Sequence, residues 1–301
     1  MVRSATDHQP TDRTMDVSKQ LIRPEDFWPV DPAYEESYRT AVAIGRGAAK
    51  ELDAAIVMIA RNARPAIENT LRLVEEVRKG FNDSSVYVFE NDSRDGTDGL
   101  LDDYARATFG VTVDHETLGG EDIRGFGADR TNRLAYCRNE CLRYVRDEAP
   151  KTAWTIVVDC DPAGGFSVDG VFNSIGWLGR LSSRHDALQA GGMASYSVMR
   201  HQHGRGVAKV LGYDAWAARL NDWRDRREEV GMEWFHFLLP PVGSHPIPLY
   251  SAFGGLAVYW TEAFLRGGYV GGDCEHVAHH RAMREAGYQM YLNPGCRYVA
   301  L

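Results

Sequence analysis

Long apolar runs are absent from this sequence. None approaches the roughly 18 residues needed to span a membrane. Excess basic charge is absent too. Lys plus Arg number 34 against 42 Asp plus Glu, a net charge of -8, so nothing draws the chain generally toward nucleic acid or an anionic surface. The first twenty residues, MVRSATDHQPTDRTMDVSKQ, contain no apolar leader. Cysteine is sparse: Cys137, Cys141, Cys160, Cys274 and Cys296 are an odd, scattered set and make no disulfide framework. Cys137 and Cys141 lie one helical turn apart but no CxxC accompanies them, so buried free thiols are expected rather than zinc. Low-complexity linkers and internal repeats are missing as well. The expectation is a reduced, cytoplasmic protein with no transmembrane segment; peripheral membrane contact stays open.

Apolar residues are plentiful, at 44% of 301 positions, enough for a substantial core. Residues 1 to about 25 are polar and expected to be mobile. A helical segment follows around Pro32–Leu52. From there strand and helix patterns alternate. AAIVMIA (Ala54–Ala60) reads as a buried strand, and PAIENTLRLVEEVRKG as a helix with Pro65 near its start and Gly80 at its stop. SVYVFE (Ser85–Glu90) is a second strand, Thr97 to about Phe109 a helix, and GVTVDHE a third strand. Ala128–Asp147 is a long helix and WTIVVD a fourth strand. That alternation predicts an α/β fold with a parallel sheet covered on both faces. The second half, with its Trp- and Arg-rich stretch, reads as mixed, partly antiparallel strands and long loops. A helix from Cys274 to Ala286 and a last strand, YQMYLNP, close the chain.

Ligands of open α/β sheets bind beyond the carboxyl ends of the strands. Three predicted strand ends carry unusual polar residues: Arg61 and Asn62; ENDSRDGT (Glu90–Thr97); and Asp159-Cys160-Asp161. Alternation in an extended segment turns Asp159 and Asp161 to one side. Two carboxylates placed together repel each other unless something positive joins them, and a hard oxygen pair suits Mg²⁺ or Mn²⁺ holding a diphosphate. The competing reading is a turn capped by Asp161 before Pro162. In RTNRLAYCRNECLRYV, Arg130 and Arg133 share a helix face, either as a solvated surface or as phosphate ligands. In GGDCEHVAHH, Asp273 can cap a helix, and His276 is at helical spacing from His279 and His280. Cys274 and His276, two apart on a helix, do not converge on one zinc ion.

The order of these segments, with YDAWAARL and SAFGGLAVY between the acid pair and the histidines, resembles the GT-A glycosyltransferases. In particular it is similar to the branch containing the fungal capsule-associated α-mannosyltransferases and their bacterial relatives. The resemblance spans roughly Ala54–Pro294. It implies a Rossmann-like GT-A fold, a mixed, mostly parallel sheet flanked by helices. It further implies a GDP- or UDP-sugar donor, a divalent cation (Mn²⁺ or Mg²⁺), and a saccharide, glycolipid or small-molecule acceptor. Arg61 and Glu90 would contact the nucleoside, with Asp92 in the same donor-binding set. Arg130 and Arg138 would face the diphosphate. Asp159 would touch ribose or metal, and Asp161 would be the principal metal ligand. His276 or His279 would add a further ligand. Gly254 and Gly255 would line the donor-sugar pocket, and Asp214 and Arg219 would lie near the sugars. From their place at the start of the last helix, Asp273 or Glu275 is the candidate general base if the reaction inverts configuration; if it retains configuration, Glu275 would instead orient sugar hydroxyls. The organisation implied is a polar extension plus helix over 1–52 and a single GT-A domain over 53–301. Its nucleotide half would be about 53–162 and its acceptor half about 163–301. Two rivals are a nucleotidyltransferase, against which stands ARNARPA in place of a glycine- and lysine-rich phosphate loop, and a non-catalytic sugar- or nucleotide-binding module, which has no need of two paired aspartates.

Overall fold

The computed structural model describes residues 20–119, 127–182, 187–201, 209–220 and 233–300. Most of the polar N-terminal stretch and of the Trp- and Arg-rich stretch lies outside them. In chain order the elements are α1 (Glu35–Ala49), β1 (Ala54–Ala60), α2 (Ala66–Arg78), β2 (Ser84–Asn91), α3 (Thr97–Ala107), β3 (Val111–Glu116), α4 (Ala128–Asp147) and β4 (Trp154–Asp159). They continue with α5 (Val168–Ser182), β5 (Gln189–His201), β6 (Lys209–Gly212), α6 (Glu233–Phe237), β7 (Ile247–Leu249), β8 (Leu256–Trp260), α7 (Thr261–Phe264), α8 (Glu275–Glu285) and β9 (Tyr288–Val299). The first helix is shorter than the Pro32–Leu52 pattern. Residues Pro32–Tyr34 form a 3₁₀ turn, because the Asp31 side chain accepts from the Ala33 N–H and fixes that turn first.

The strands join in one sheet, ordered β3-β2-β1-β4-β8-β5-β9-β7, with β6 added on β5. β3, β2, β1 and β4 are parallel, as alternating helices and strands require. β1 alternates Ile56 and Met58 into one core with Ala55 and Val57 into the other, so both faces are covered. α5 packs on α1 beneath the sheet, and α4 crosses the opposite face above β1 and β2.

Register decides where the polar strand ends meet. Ala60 pairs with Glu90, Ile59 with Asp159, and Glu90 with His115, so these ends stand level at one edge. β8 then runs antiparallel to β4, with Val158 opposite Leu256. The start of β8 therefore lies beside the end of β4, and the Asp159 N–H donates to Gly255 O at 2.8 Å. β5 reverses again and β9 runs parallel to it, which carries Ser195 and Tyr298 to the same edge. Among the described residues no helix is long and apolar enough to cross a membrane.

Candidate active site

That edge opens into a cavity of about 640 Å³, within the range of small-molecule sites. Its floor is the end of β1 (Ile59 to Arg61) and the acid pair Asp159 and Asp161. One wall is α4, which presents Arg130, Arg133, Leu134, Cys137 and Arg138 at three- and four-residue spacing, a single helix face. The opposite side is Tyr213 to Trp216, and Phe253 and the Cys274–His276 start of α8 complete it.

The loops at the β1 and β2 ends are cross-linked. Asn62 N–H donates to Ser93 Oγ at 2.9 Å, Arg94 N–H to Asn62 Oδ1 at 2.8 Å, and Arg64 N–H to Asp95 Oδ2 at 2.9 Å. Arg61 and Asn91 reach the cavity. Glu90 and Asp92 do not line it. Glu90 accepts from Ser93 N–H at 2.9 Å and sits 2.8 Å from His115 Nδ1, while Asp92 accepts from the Leu118 and Gly119 N–H groups. Burial would lower the His115 pKa, but Glu90 and Asp102 outweigh it and hold the imidazole above its usual range. These two acids brace the rim.

Asp159 accepts from Arg138 Nη2, and Tyr298 O–H donates to Asp161 Oδ1 at 3.3 Å. Asp161 is exposed to the cavity, with protein packed around its carboxylate. That crowding, and then the Asp159 charge beside it, raises its carboxyl above the ordinary range. The two carboxylates therefore ask for more positive charge than one guanidinium provides. They are hard oxygen donors on one cavity floor, and a shared divalent cation fits them. Among the described residues no group of three or more His, Cys, Asp or Glu forms a ready metal cage, so further ligands would come from a bound molecule or water.

The turn before β8 admits only glycine without strain. Gly254 has φ +70° and Gly255 φ +84°. A Cβ on Gly254 would stand 2.3 Å from Ser195 O, and one on Gly255 2.4 Å from the Tyr298 ring. Gly254 N–H donates to Asp214 Oδ2 at 2.7 Å. Asp214 itself has φ +65° and lines the cavity; burial, then the charges of Asp159 and Glu275, push its pKa up to about 7. Arg219 and Asp273 stand behind this wall rather than in it. Arg219 donates to Trp216 O, Ala218 O and, at 2.8 Å, to Asp273 Oδ2, which ties the Asp214 loop to the α8 approach.

The three histidines of α8 separate. His276 lines the cavity, its ring stacked on Phe253 at 3.8 Å, with neither nitrogen hydrogen-bonded among the described residues. His279 is wholly buried and stacked on Tyr269 at 4.3 Å, away from the cavity. His280 is held by Ser251 Oγ and Tyr259 O–H, both at 2.9 Å. Burial lowers all three, His280 to about 3, so each is neutral near pH 7. Glu275 is buried on the cavity wall and raised by that burial, against the opposing pull of Arg138. All five cysteines are free and buried.

No sequence signal singles out Tyr298, Tyr213, Trp216, Met199 or His236 at this site. Only Arg133, Leu134 and Cys137 carried a readable signal, the spacing from Arg130 and Arg138 along α4. Tyr298 reaches Asp161 through sheet order alone.

No protein-family model matches this chain, and no curated protein matches it. Solved structures are similar in fold. GalNAc-T7 with UDP, GalNAc and Mn²⁺ aligns with a TM-score of 0.50 at 13% identity, over 91% of this chain and 53% of that one. The mannosyltransferase PcManGT from Pyrobaculum calidifontis, in complex with GDP-Man and Mn²⁺, gives 0.46 at 17% identity over 89% and 66%. S. aureus TarS 1-349 gives 0.48 at 12% over 83% and 60%. The chain thus spans less than two thirds of the length of each. The fold is that of the GT-A glycosyltransferases: a mixed α/β sheet with its parallel part flanked by helices, and the acid pair at the point where strand direction reverses.

Proposed function

We propose that the cavity binds a nucleoside-diphosphate sugar with a divalent cation and that the protein transfers the sugar to an acceptor hydroxyl. The observation that carries this reading is the pairing of Asp159 and Asp161 on the cavity floor with an arginine-bearing helix face on its wall, in this fold. Asp161 and Asp159 would hold the cation, Mn²⁺ or Mg²⁺, with His276 the neutral imidazole on the same cavity. When bound, the cation supplies positive charge to the leaving diphosphate. Arg130 and Arg133 bind phosphate oxygens from the α4 wall, and Arg61 takes the nucleoside end. The Gly254 and Gly255 turn lets the sugar approach backbone, and Asp214 is placed to accept from a sugar hydroxyl. Glu275 would take the acceptor proton; burial raises its carboxyl above the ordinary range, which makes it a stronger base. Asp273, paired with Arg219, positions the segment instead.

Residues 53–162 then form the nucleotide half and 163–301 the sugar and acceptor half of one transferase unit. The resemblance of its motifs to those of capsule-associated mannosyltransferases favours GDP-mannose as donor, with a saccharide, glycolipid or small-molecule acceptor. The test is thermal-shift measurement with UDP-, GDP- and dTDP-sugars with and without Mn²⁺, followed by assay of the best donor for nucleoside-diphosphate release. A Mn²⁺-dependent rise in Tm with nucleoside-diphosphate release is expected. Pyrophosphate release from a nucleoside triphosphate and a sugar phosphate would replace this reading with a nucleotidyltransferase. Binding without turnover would leave a binding module.

A further inference from the structure

Arg138 stands apart from the other arginines of the cavity. It is 3% exposed, and its Nη2 is bonded to Asp159, the acid that would share the cation. Its Nε lies 3.7 Å from Glu275 Oε1 and its guanidinium 4.9 Å from the Phe253 ring centre. Nε and Nη1 are buried without a hydrogen-bond partner among the described residues, although Arg138 lines the cavity. Leaving such donors unmatched is costly, and a native fold keeps them so where a ligand completes them. The residue cannot easily swing away. Its neighbour Asn139 exchanges two hydrogen bonds with the Tyr269 backbone, at 2.9 and 3.1 Å, which pins α4 to the loop before α8.

We propose that Arg138 is a built-in counter-ion that keeps a bare divalent cation off the Asp159–Asp161 pair and admits it together with a nucleoside diphosphate. A fixed guanidinium on Asp159 already offsets one of the two carboxylate charges, so a lone dication meets both a half-neutralised site and a like charge in surroundings of low dielectric. A diphosphate reverses that balance. Its oxygens supply the negative charge the dication needs and match the Arg138 donors left over. Arg138 thus sets the order of loading by answering first to Asp159 and then to the diphosphate as well. The proposal rests on the glycosyltransferase reading of the acid pair.

The test measures Mn²⁺ binding to the full chain by electron paramagnetic resonance of free Mn²⁺, with no nucleotide and then with saturating GDP or UDP. The parent should bind Mn²⁺ at least about fivefold tighter with nucleotide, the lower end of site-to-site couplings. Arg138→Gln should bind bare Mn²⁺ at least about fivefold tighter than the parent and lose most of the nucleotide-driven gain. Arg138→Lys keeps the charge and should keep the parent's weak bare affinity. An Arg138→Gln protein that melts cooperatively and binds bare Mn²⁺ like the parent, or more weakly, overturns the proposal while leaving the glycosyltransferase reading intact. If Arg138→Gln does not fold, two results still decide against it: bare affinity in the parent equal to that with nucleotide, or tight bare binding by Arg138→Lys. Absence of Mn²⁺ binding under every condition would overturn both readings.

Discussion

Replacing Asp214 by Asn should stabilise the protein at alkaline pH and leave it unchanged in acid. Asp214 is held in the cavity wall, where burial and the charges of Asp159 and Glu275 push its pKa from 3.8 up to about 7. Between these values the folded state keeps a proton that the unfolded chain has lost. The folded state then binds more protons, so stability falls as pH rises from about 4 to about 7 and stays reduced above that. A shift of that size corresponds to about 4 kcal/mol at most, at roughly 1.4 kcal/mol per pH unit. Asp214 is only partly buried by surface area and faces the cavity, so solvent screens its charge and about 2 kcal/mol is the working figure. An Asn side chain can still accept from the Gly254 N–H but carries no charge. Urea unfolding of parent and Asp214→Asn should therefore agree near pH 3 and differ by about 2 kcal/mol near pH 8, with the variant more stable. Asp161 and Glu275 titrate in both proteins and largely cancel in the difference. An equal gap at the two pH values, or a variant less stable near pH 8, would refute the assignment of a buried, reluctant charge to Asp214.

Asp161→Ala should retain the fold, abolish Mn²⁺-dependent donor binding in calorimetry, and raise the cation-free Tm slightly. The slight rise follows from losing a carboxylate that burial and Asp159 already destabilise; undiminished Mn²⁺-dependent binding would remove Asp161 from the cation site. Gly254→Ala should cost about 2–5 kcal/mol in chemical denaturation, combining left-handed strain with overpacking. Its new methyl would fall 2.3 Å from Ser195 O, and a variant as stable as the parent would mean the turn before β8 is far softer than its contacts imply.

The first half of the fold was legible because its signals are local. β1 is a bare apolar run, and α4 starts and stops at Ala128 and Asp147 as its periodicity indicates. α5 was not legible. Its sequence, VDGVFNSIGWLGRLS, carries three glycines and a β-branched start, so helix propensity does not mark it. The glycines serve tertiary contact instead: Gly176 lies against the Ala41 carbonyl of α1, and Gly45 of α1 against the Phe172 carbonyl of α5. In the site, Asp159 and Asp161 could be read because an apolar strand ends in two acids of the same parity. The pairing of Arg138 with Asp159, the reach of Tyr298 to Asp161 and the Arg219–Asp273 strut depend on which strands become neighbours. Nor does spacing say which α8 histidine meets the cavity. That is set by the rotation of the helix, which turns His276 toward Phe253 and His279 toward Tyr269.

Charge balance ties these features together. Four arginines line the cavity, Arg61, Arg130, Arg133 and Arg138, and so do four acids, Asp159, Asp161, Asp214 and Glu275. A nearly neutral lining has no strong preference for a free anion or a free cation, each of which would disturb the balance in surroundings that screen poorly. It suits a ligand that brings both signs in separated positions, anionic toward the α4 wall and cationic toward the floor. A diphosphate carrying a divalent cation has that polarity, and the hydroxyls of a sugar add hydrogen bonds without adding charge. The acids least easily ionised, Asp161, Asp214 and Glu275, are raised chiefly by burial, with neighbouring carboxylate charge adding to it. A ligand of that polarity would ease the repulsion among these acids, and most when cation and diphosphate arrive together.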